Sequence, residues 1–187
     1  MVLLKVLRKQ KIKESQARVL LLGLDNAGKS TLVAQILDED MRSVAPTFGF
    51  QINTLTRDGI NLHIWDIGGQ QSLRPFWHNY FEKTDFLIWV VDACAPARLD
   101  KCIQELQTVL QQEDRLIGTG VLIWINKVDI GRENISLIEE RLEKEVLGTL
   151  RENHNVGVIP CSAFTGEGVN EGLDFVCDEI KSRLFVL

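Results

Sequence analysis

The stretch Gly23-Leu24-Asp25-Asn26-Ala27-Gly28-Lys29-Ser30 fits the pattern G-x-x-x-x-G-K-[ST] at every fixed position. Before it, Arg18 to Leu22 is a short apolar run of the kind a buried parallel strand uses. After it, Ser30 to Leu37 has helical spacing. Gly23 and Gly28 carry no Cβ, so the backbone can take positive φ and come close to an anion. The N–H groups of the loop and of the first helical turn then converge on one point. Lys29 is placed to reach β- and γ-phosphates, and the Ser30 hydroxyl to ligate Mg²⁺. Asp25, Asn26, Ala27 and Thr31 complete the predicted lining. An ordinary tight turn would need glycines, but not Lys-Ser at that offset.

A chain of 187 residues, 45% apolar and 25% charged, is long enough for one globular domain with a sizeable core. The net charge of −5 gives no reason to expect nucleic-acid binding. The charge is uneven: Lys5, Arg8, Lys9, Lys11, Lys13 and Arg18 face only Glu14 in the first eighteen residues. Cys94, Cys102, Cys161 and Cys177 form no C-x-x-C pair, so neither a zinc site nor a redox motif is expected. No signal peptide is read, and a reducing cytosol is the expected compartment, where the Asn134-Ile135-Ser136 acceptor has no use. No apolar run reaches the length of a membrane span, and Ser182 to Leu187 holds no cysteine for prenylation.

Residues 2–13 read as a short amphipathic helix, with Val2, Leu3, Val6 and Leu7 on one face and Lys5, Arg8 and Lys9 over much of the rest. Two readings stand open: a helix packed permanently on the domain, or a segment that leaves it for a membrane or partner. Asp38 to Thr47 reads as an exposed loop. Phe48–Thr56 and Ile60–Asp66 alternate as strands around Arg57-Asp58-Gly59. Leu73–Glu82 is expected to be helical, Asp85–Asp92 a buried strand, and Leu99–Gln112 a helix. Val121–Asn126 is a second buried strand, Ser136–Leu147 a helix with Ser136 and Glu139 as a capping box, Val156–Ile159 a last strand, and Asn170–Arg183 a closing helix. Alternating strands and helices predict an α/β doubly wound sheet of six strands, mostly parallel, with one antiparallel strand and helices on both faces. Ligands in such folds bind at the carboxyl ends of strands, where each motif lies.

Trp65-Asp66-Ile67-Gly68-Gly69-Gln70 closes the second hairpin strand. Asp66 suits a Mg²⁺ ligand or its outer shell. Gly69 can offer its N–H to a γ-phosphate, and Gln70 can orient an attacking water because its amide both donates and accepts. Asn126-Lys127-Val128-Asp129 closes the strand from Val121. The Asp129 carboxylate can accept from both guanine N1–H and the exocyclic amine, a donor pair adenine lacks. Asn126 can tether neighbouring loops, the Lys127 stem can cover the base, and a backbone N–H in Cys161-Ser162-Ala163 can meet guanine O6.

Together with Pro46-Thr47 and Gly49-Phe50, this set resembles the Arf branch of the Ras-superfamily small GTPases over residues 15–187. The Trp-Asp-x-Gly-Gly-Gln form and the N-terminal helix point to that branch, whose P-loop shares Asp25. Leu3-Leu4 with Leu7-Arg8-Lys9, and Cys161 to Val169, resemble the Arf-like two and three subgroup, the second stretch favouring three. The resemblance implies a P-loop small G domain over 15–187 preceded by a helix over 1–14, with Mg²⁺ and GTP or GDP as ligands. It implies that Thr47 meets Mg²⁺ and the γ-phosphate only in the GTP state. It implies that the hairpin between the switches slides and expels the N-terminal helix. It further implies a monomer with an exchange factor, an activating protein and GTP-dependent effectors such as prenyl- or myristoyl-binding carriers, with a ciliary or microtubule connection.

Val2 stands where myristoylation needs glycine, so weak or no membrane binding is expected. Arg42 is the one candidate for a finger arginine within Asp38–Thr47, so slow intrinsic hydrolysis is expected. A metabolic kinase would need a second pocket and an arginine-rich lid, and would leave Asn126 to Asp129 without a role. A nucleotide-locked scaffold is disfavoured by intact Ser30, Thr47 and Gln70.

Overall fold

The computed structural model describes residues 15–111 and 114–185; the amphipathic segment expected at 2–13 lies outside them. The strands are β1 (Gln16–Gly23), β2 (Phe50–Arg57), β3 (Ile60–Ile67), β4 (Phe86–Asp92), β5 (Gly120–Asn126) and β6 (Val156–Pro160). They form one sheet in the order β2-β3-β1-β4-β5-β6. The β2–β3 pair is antiparallel and the other pairs are parallel, as the alternation of elements predicts. The α-helical segments are α1 (Lys29–Ile36), α2 (Leu99–Gln111), α3 (Val128–Gly131), α4 (Ile135–Leu142), α5 (Gly148–Asn153) and α6 (Val169–Phe185).

The central strands are apolar on both sides because both faces are covered. One core joins Leu20, Leu22, Trp89, Val91, Ile123 and Ile125 of the sheet to Leu99, Ile103 and Leu106 of α2 and Ile138 and Leu142 of α4. The other joins Val19, Leu21, Ile88, Val90, Leu122 and Trp124 to Leu32 and Val33 of α1 and Leu173, Val176 and Ile180 of α6. Alternate residues of each strand thus feed opposite cores. Strand order reverses at β1, with β3 on one side and β4 on the other, and this opens a crevice at the carboxyl end of β1.

Three local expectations change. Residues Arg74–Tyr80 form a 3₁₀ segment rather than an α-helix, with Pro75 in its first turn. The run is long for a 3₁₀ segment, and it buries Trp77 while leaving its neighbour Phe76 exposed. The helix expected over 136–147 starts at Ile135 after Asn134, so Ser136 lies inside the helix and makes no capping box with Glu139. It passes into a π-helical turn at Glu143–Leu147 before α5, and Gln107 Nε2 donates to the Glu145 carbonyl there at 2.9 Å.

Gly172 of α6 lies against the fully buried Trp124 ring: a Cβ there would come 2.2 Å from Trp124 Nε1. Gly→Ala in a helix gains about 1 kcal/mol of propensity, whereas overpacking a core costs about 1–3 kcal/mol. Because the clash is with a ring that has no exposed side to retreat to, overpacking wins. Gly172→Ala is expected to lower stability in urea unfolding of the GDP-bound protein by about 1–2 kcal/mol.

Candidate functional site

The chain leaves β1 at Gly23 with φ 145°, and passes Asn26 at φ 62° and Gly28 at φ 89° before entering α1. Two of these positions tolerate no side chain for a second reason. A Cβ on Gly23 would lie 2.5 Å from the Val90 carbonyl, and one on Gly28 would lie 2.3 Å from Asn126 Nδ2. The loop is therefore built close to its neighbours, with Ala27 buried and Asn26 exposed. Thr31 follows, half-buried, on the first turn of α1.

Lys29 is buried, and its Nζ donates to the carbonyls of Gly23 and Leu24 at 3.0 Å each. Burial lowers its pKa to about 8, with Asp66 and Asp25 opposing. Asp66, at the end of β3, is also buried; burial raises its pKa, against hydrogen bonds from Ser30 and Thr47 and the charge of Lys29. Ser30 Oγ donates to Asp66 Oδ2 at 2.5 Å, Thr47 Oγ1 donates to the same oxygen at 3.2 Å, and the two hydroxyl oxygens are 2.7 Å apart. Asp66 Oδ1 is buried without a partner.

These oxygens fit a magnesium ion. Neighbouring ligands of an octahedral Mg²⁺ at about 2.0–2.1 Å stand about 2.9 Å apart, near the spacing of Ser30 and Thr47. Ser30 and Thr47 would hold the ion and Asp66 would stand behind them. Burial disfavours the charges of both Lys29 and Asp66. An anionic phosphate would offset the first and a divalent cation the second.

The segment after β3 closes against the glycine loop. A Cβ on Gly69 would come 2.4 Å from both Asp25 N and Gly23 O, so only glycine fits there. Asp25 N donates to the Gly69 carbonyl at 3.2 Å. Gln70 is half-buried, and its carbonyl accepts from the Leu73 and Arg74 N–H groups.

At the far side of the crevice, Asn126 ends β5 almost fully buried. Its Nδ2 donates to the Ala27 carbonyl at 2.9 Å, and its Oδ1 accepts from Ala163 N at 2.9 Å. One side chain thus ties the glycine loop, β5 and the loop after β6. Lys127 adopts a left-handed conformation at φ 69°, and its Nζ donates to the Asn26 carbonyl and to Asp92 at 2.7 Å each. Ser162 Oγ donates to Asp129 Oδ1 at 2.7 Å, aiming an otherwise exposed carboxylate. Of the Cys161-Ser162-Ala163 N–H groups, one of which is expected to meet guanine O6, Ala163 N donates to Asn126 Oδ1, Ser162 N to the Glu167 carbonyl and Cys161 N to the Ile125 carbonyl, so a base would have to share one of these hydrogens.

The predicted site residues lie at the ends of β3 and β5, in the segments after β1, β3, β5 and β6, at the start of α1, and, for Thr47, in the loop before β2. Arg42 contributes nothing here: its side chain is 95% exposed, and it pairs with Asp40 at 3.7 Å. Four contributors escaped the sequence reading. Asp92 ends β4 and holds Lys127. Its position, a lone acid closing an apolar strand like Asp66, was the available signal. Arg98 donates to the Asp25 carbonyl at 3.0 Å and to its carboxylate at 2.8 Å. Arg74 reaches Asp25 Oδ1, and Trp77 the Gly68 carbonyl, both at 3.1 Å. Burial pushes the Asp25 carboxyl up, but Arg98 and Arg74 outweigh it and hold the group below the usual carboxylate range. These three residues match no motif and are joined to the site only by folding.

The model of the ADP-ribosylation factor (Arf) family matches residues 3–180. The chain belongs to the Arf family. It is 43% identical over 186 residues to ADP-ribosylation factor-like protein 2 of Arabidopsis thaliana, covering 99% of this chain and 98% of that one. It is 45% identical to the protein of that name from Drosophila melanogaster, covering 98% of each. Against ADP-ribosylation factor-like protein 3 of Chlamydomonas reinhardtii it is 41% identical over 96% of this chain and 99% of that one. The fold matches the Arl6 BBS3 small GTPase of Trypanosoma brucei, solved with the nucleotide analogue GppNp, at a TM-score of 0.75 and 24% identity, covering 90% of this chain and 99% of that one. Arf-family proteins are small GTPases: they bind GTP and GDP with Mg²⁺ and hydrolyse GTP, and this chain is one of them.

Removing the Asn126 carboxamide would leave Ala27 O and Ala163 N without their partners in a buried place. A lost buried bond of this kind costs about 1–3 kcal/mol. Asn126→Ala is expected to speed release of a fluorescent GDP by about tenfold or more in a stopped-flow chase.

Proposed function

We propose that the chain is a slow regulatory GTP switch whose GTP form recruits protein effectors. The observation that carries the reading is the contact of Thr47 with Ser30 and Asp66 and of Gly69 with the glycine loop at Gly23 and Asp25. Thr47 sits 2.7 Å from Ser30 and Gly69 lies against Asp25, so both segments border the place where a third phosphate would lie. In this reading Asp25, Asn26, Ala27, Gly28, Lys29, Ser30 and Thr31 cradle the phosphates. Ser30 and Thr47 hold Mg²⁺, with Asp66 behind them. Asn126, Lys127, Asp129, Ser162 and Ala163 hold guanine, and Gln70 orients the attacking water.

Mg²⁺, when bound, neutralises charge on the β- and γ-phosphates. The chain's residues do the rest by placement. Lys29 gives its ammonium to the phosphates, the Gly69 N–H faces the γ-phosphate, and Gln70 accepts from and donates to a water in line with it. The exposed Arg42 supplies no charge from within the chain, which supports slow hydrolysis until an activating protein acts.

An effector surface is supported by the edge of the sheet. Phe50, Trp65 and Tyr80 form one aromatic cluster with centroids 5.5–6.1 Å apart. Phe48, Phe50, Ile52 and Phe76 are exposed beside it, a patch of the kind that marks a protein contact. Among the described residues β2 is an edge strand, with no strand on its outer side. Carriers of prenylated or myristoylated cargo, an exchange factor, a monomeric state, and a cytoplasmic, ciliary or microtubule setting are supported by the subgroup resemblance alone. Among the described residues, no helix is long and apolar enough to cross a membrane.

We assign residues 1–14 to a latch helix and 15–187 to the G domain. The chain enters the sheet beside the hairpin, where Asn61 N donates to the Ser15 carbonyl at 2.7 Å. Four buried apolar side chains are worth at most about 1.5–3 kcal/mol each, and a switch from 1:99 to 99:1 takes about 5.5 kcal/mol. The segment is of the right size for a reversible latch.

Single-turnover GTP hydrolysis tests the switch. A slow rate is expected, reduced a further tenfold or more, roughly, in Gln70→Leu; a rate unaffected by that change rules out the assigned role. Deleting residues 2–13 is expected to raise the affinity for GTP relative to GDP, and an unchanged ratio in competition binding removes the latch.

A further inference from the structure

Ile67-Gly68-Gly69-Gln70 would be the loosest part of the site if left to itself, since two successive glycines impose no steric preference. Yet three successive peptide planes are pinned. Gly68 N donates to the Gly49 carbonyl at 2.9 Å, which fixes the plane before Gly68. Trp77 Nε1 donates to the Gly68 carbonyl at 3.1 Å, which fixes the plane between Gly68 and Gly69. Arg74 Nε, at 3.0 Å, and Asp25 N, at 3.2 Å, donate to the Gly69 carbonyl, which fixes the plane between Gly69 and Gln70.

In a trans peptide the C=O of one residue and the N–H of the next point in opposite directions. Trp77 is buried in the core beneath the segment and forms an edge contact with Trp89 at 5.7 Å. By drawing the Gly68 carbonyl toward itself, it turns the Gly69 N–H away from that core. Arg74 then keeps Gly69 seated against the glycine loop. Its fork is used on three acceptors: the Gly69 carbonyl, Asp25 Oδ1 and Glu105 Oε1, the last two at 3.1 Å. The Arg74 side chain is only 9% exposed, so these bonds are made in a place that water screens poorly. Glu105 is in turn held by Lys101 at 3.0 Å, which anchors the strut on α2.

We propose that Arg74 and Trp77 are positioning residues that hold the Gly69 N–H toward the γ-phosphate. Neither side chain touches the nucleotide in this assignment; both act through Gly69. The proposal rests on the reading of Gly69 as the γ-phosphate sensor. It separates GTP from GDP, because only GTP has the phosphate that Gly69 meets. Arg98 still holds Asp25 when Arg74 is removed, so the glycine loop and its grip on GDP remain.

The test measures GTP and GDP affinities and single-turnover hydrolysis for Arg74→Ala, Arg74→Lys and Trp77→Phe. The last keeps an aromatic ring and removes the N–H. Arg74→Ala and Trp77→Phe are each expected to lower the GTP-to-GDP affinity ratio by about tenfold, the size of one lost buried hydrogen bond. GDP affinity should change less than about threefold. Arg74→Lys, which reaches one acceptor but not three, should fall between. Equal losses for both nucleotides, or a ratio within about twofold of the parent in both Arg74→Ala and Trp77→Phe, overturn the proposal. Gly69→Ala is the control for the underlying reading. If it leaves the ratio unchanged while GDP affinity is kept, so that the glycine loop is intact, the γ-phosphate assignment fails and the strut with it. If it lowers the ratio and the other variants do not, only the strut fails.

Discussion

Two buried charges of opposite sign organise this protein. Lys29 opens α1 and Asp66 ends β3, each with its ionised form disfavoured by burial. Lys29 rests on two neutral carbonyls and Asp66 on two hydroxyls, which leave part of each charge uncompensated. A phosphate chain carrying a divalent cation supplies both missing charges in one ligand. Binding such a ligand only in the folded state adds its free energy to stability. The site is therefore strained toward its ligand by the same burial that places it.

Conformation follows from that centre. Asp66 can be buried only because Ser30 and Thr47 reach it from two other segments, the start of α1 and the loop before β2. Gly69 can approach Asp25 only because it has no side chain. Arg74 and Arg98 then compensate Asp25, which would otherwise add a second negative charge beside the phosphates. The ligand's charge, the two hydroxyls on the Asp66 carboxylate and the closed glycine segment are thus one electrostatic arrangement.

Much of this was legible in the sequence, for a physical reason. Gly23 to Ser30, Trp65 to Gln70 and Asn126 to Asp129 are local stretches in which residue type and spacing carry the chemistry. The sheet followed from alternating apolar runs, down to the antiparallel β2–β3 pair. What escaped was long-range or finely local. Arg98 lies 73 positions from Asp25 and Arg74 lies 49 away, and no periodicity joins them. The capping box at Ser136 failed because the helix began one residue earlier, after Asn134. The 3₁₀ segment Arg74–Tyr80 carries Trp77 to the Gly68 carbonyl and Tyr80 to the Trp65 ring, long-range contacts that helical spacing does not register.

The β2–β3 hairpin gives the centre mechanical reach. Thr47 precedes β2 and Gly69 follows β3, and the eight-residue strands between them are paired along their full length from Phe50–Ile67 to Arg57–Ile60. A displacement of either segment must therefore be carried by the other strand or break the ladder. The far end of the hairpin is lashed to α6: Arg57 donates to Asp174 and Asn170, and Lys181 pairs with Asp58 at 3.0 Å. These ties are partly exposed, and such pairs are worth about 0–1 kcal/mol each, far less than the ladder. The hairpin is thus stiff along its length and weakly fastened at its tip, while β3 is also held to β1 from Asn61 to Asp66, so its two ends are joined to the phosphate site through both ladders.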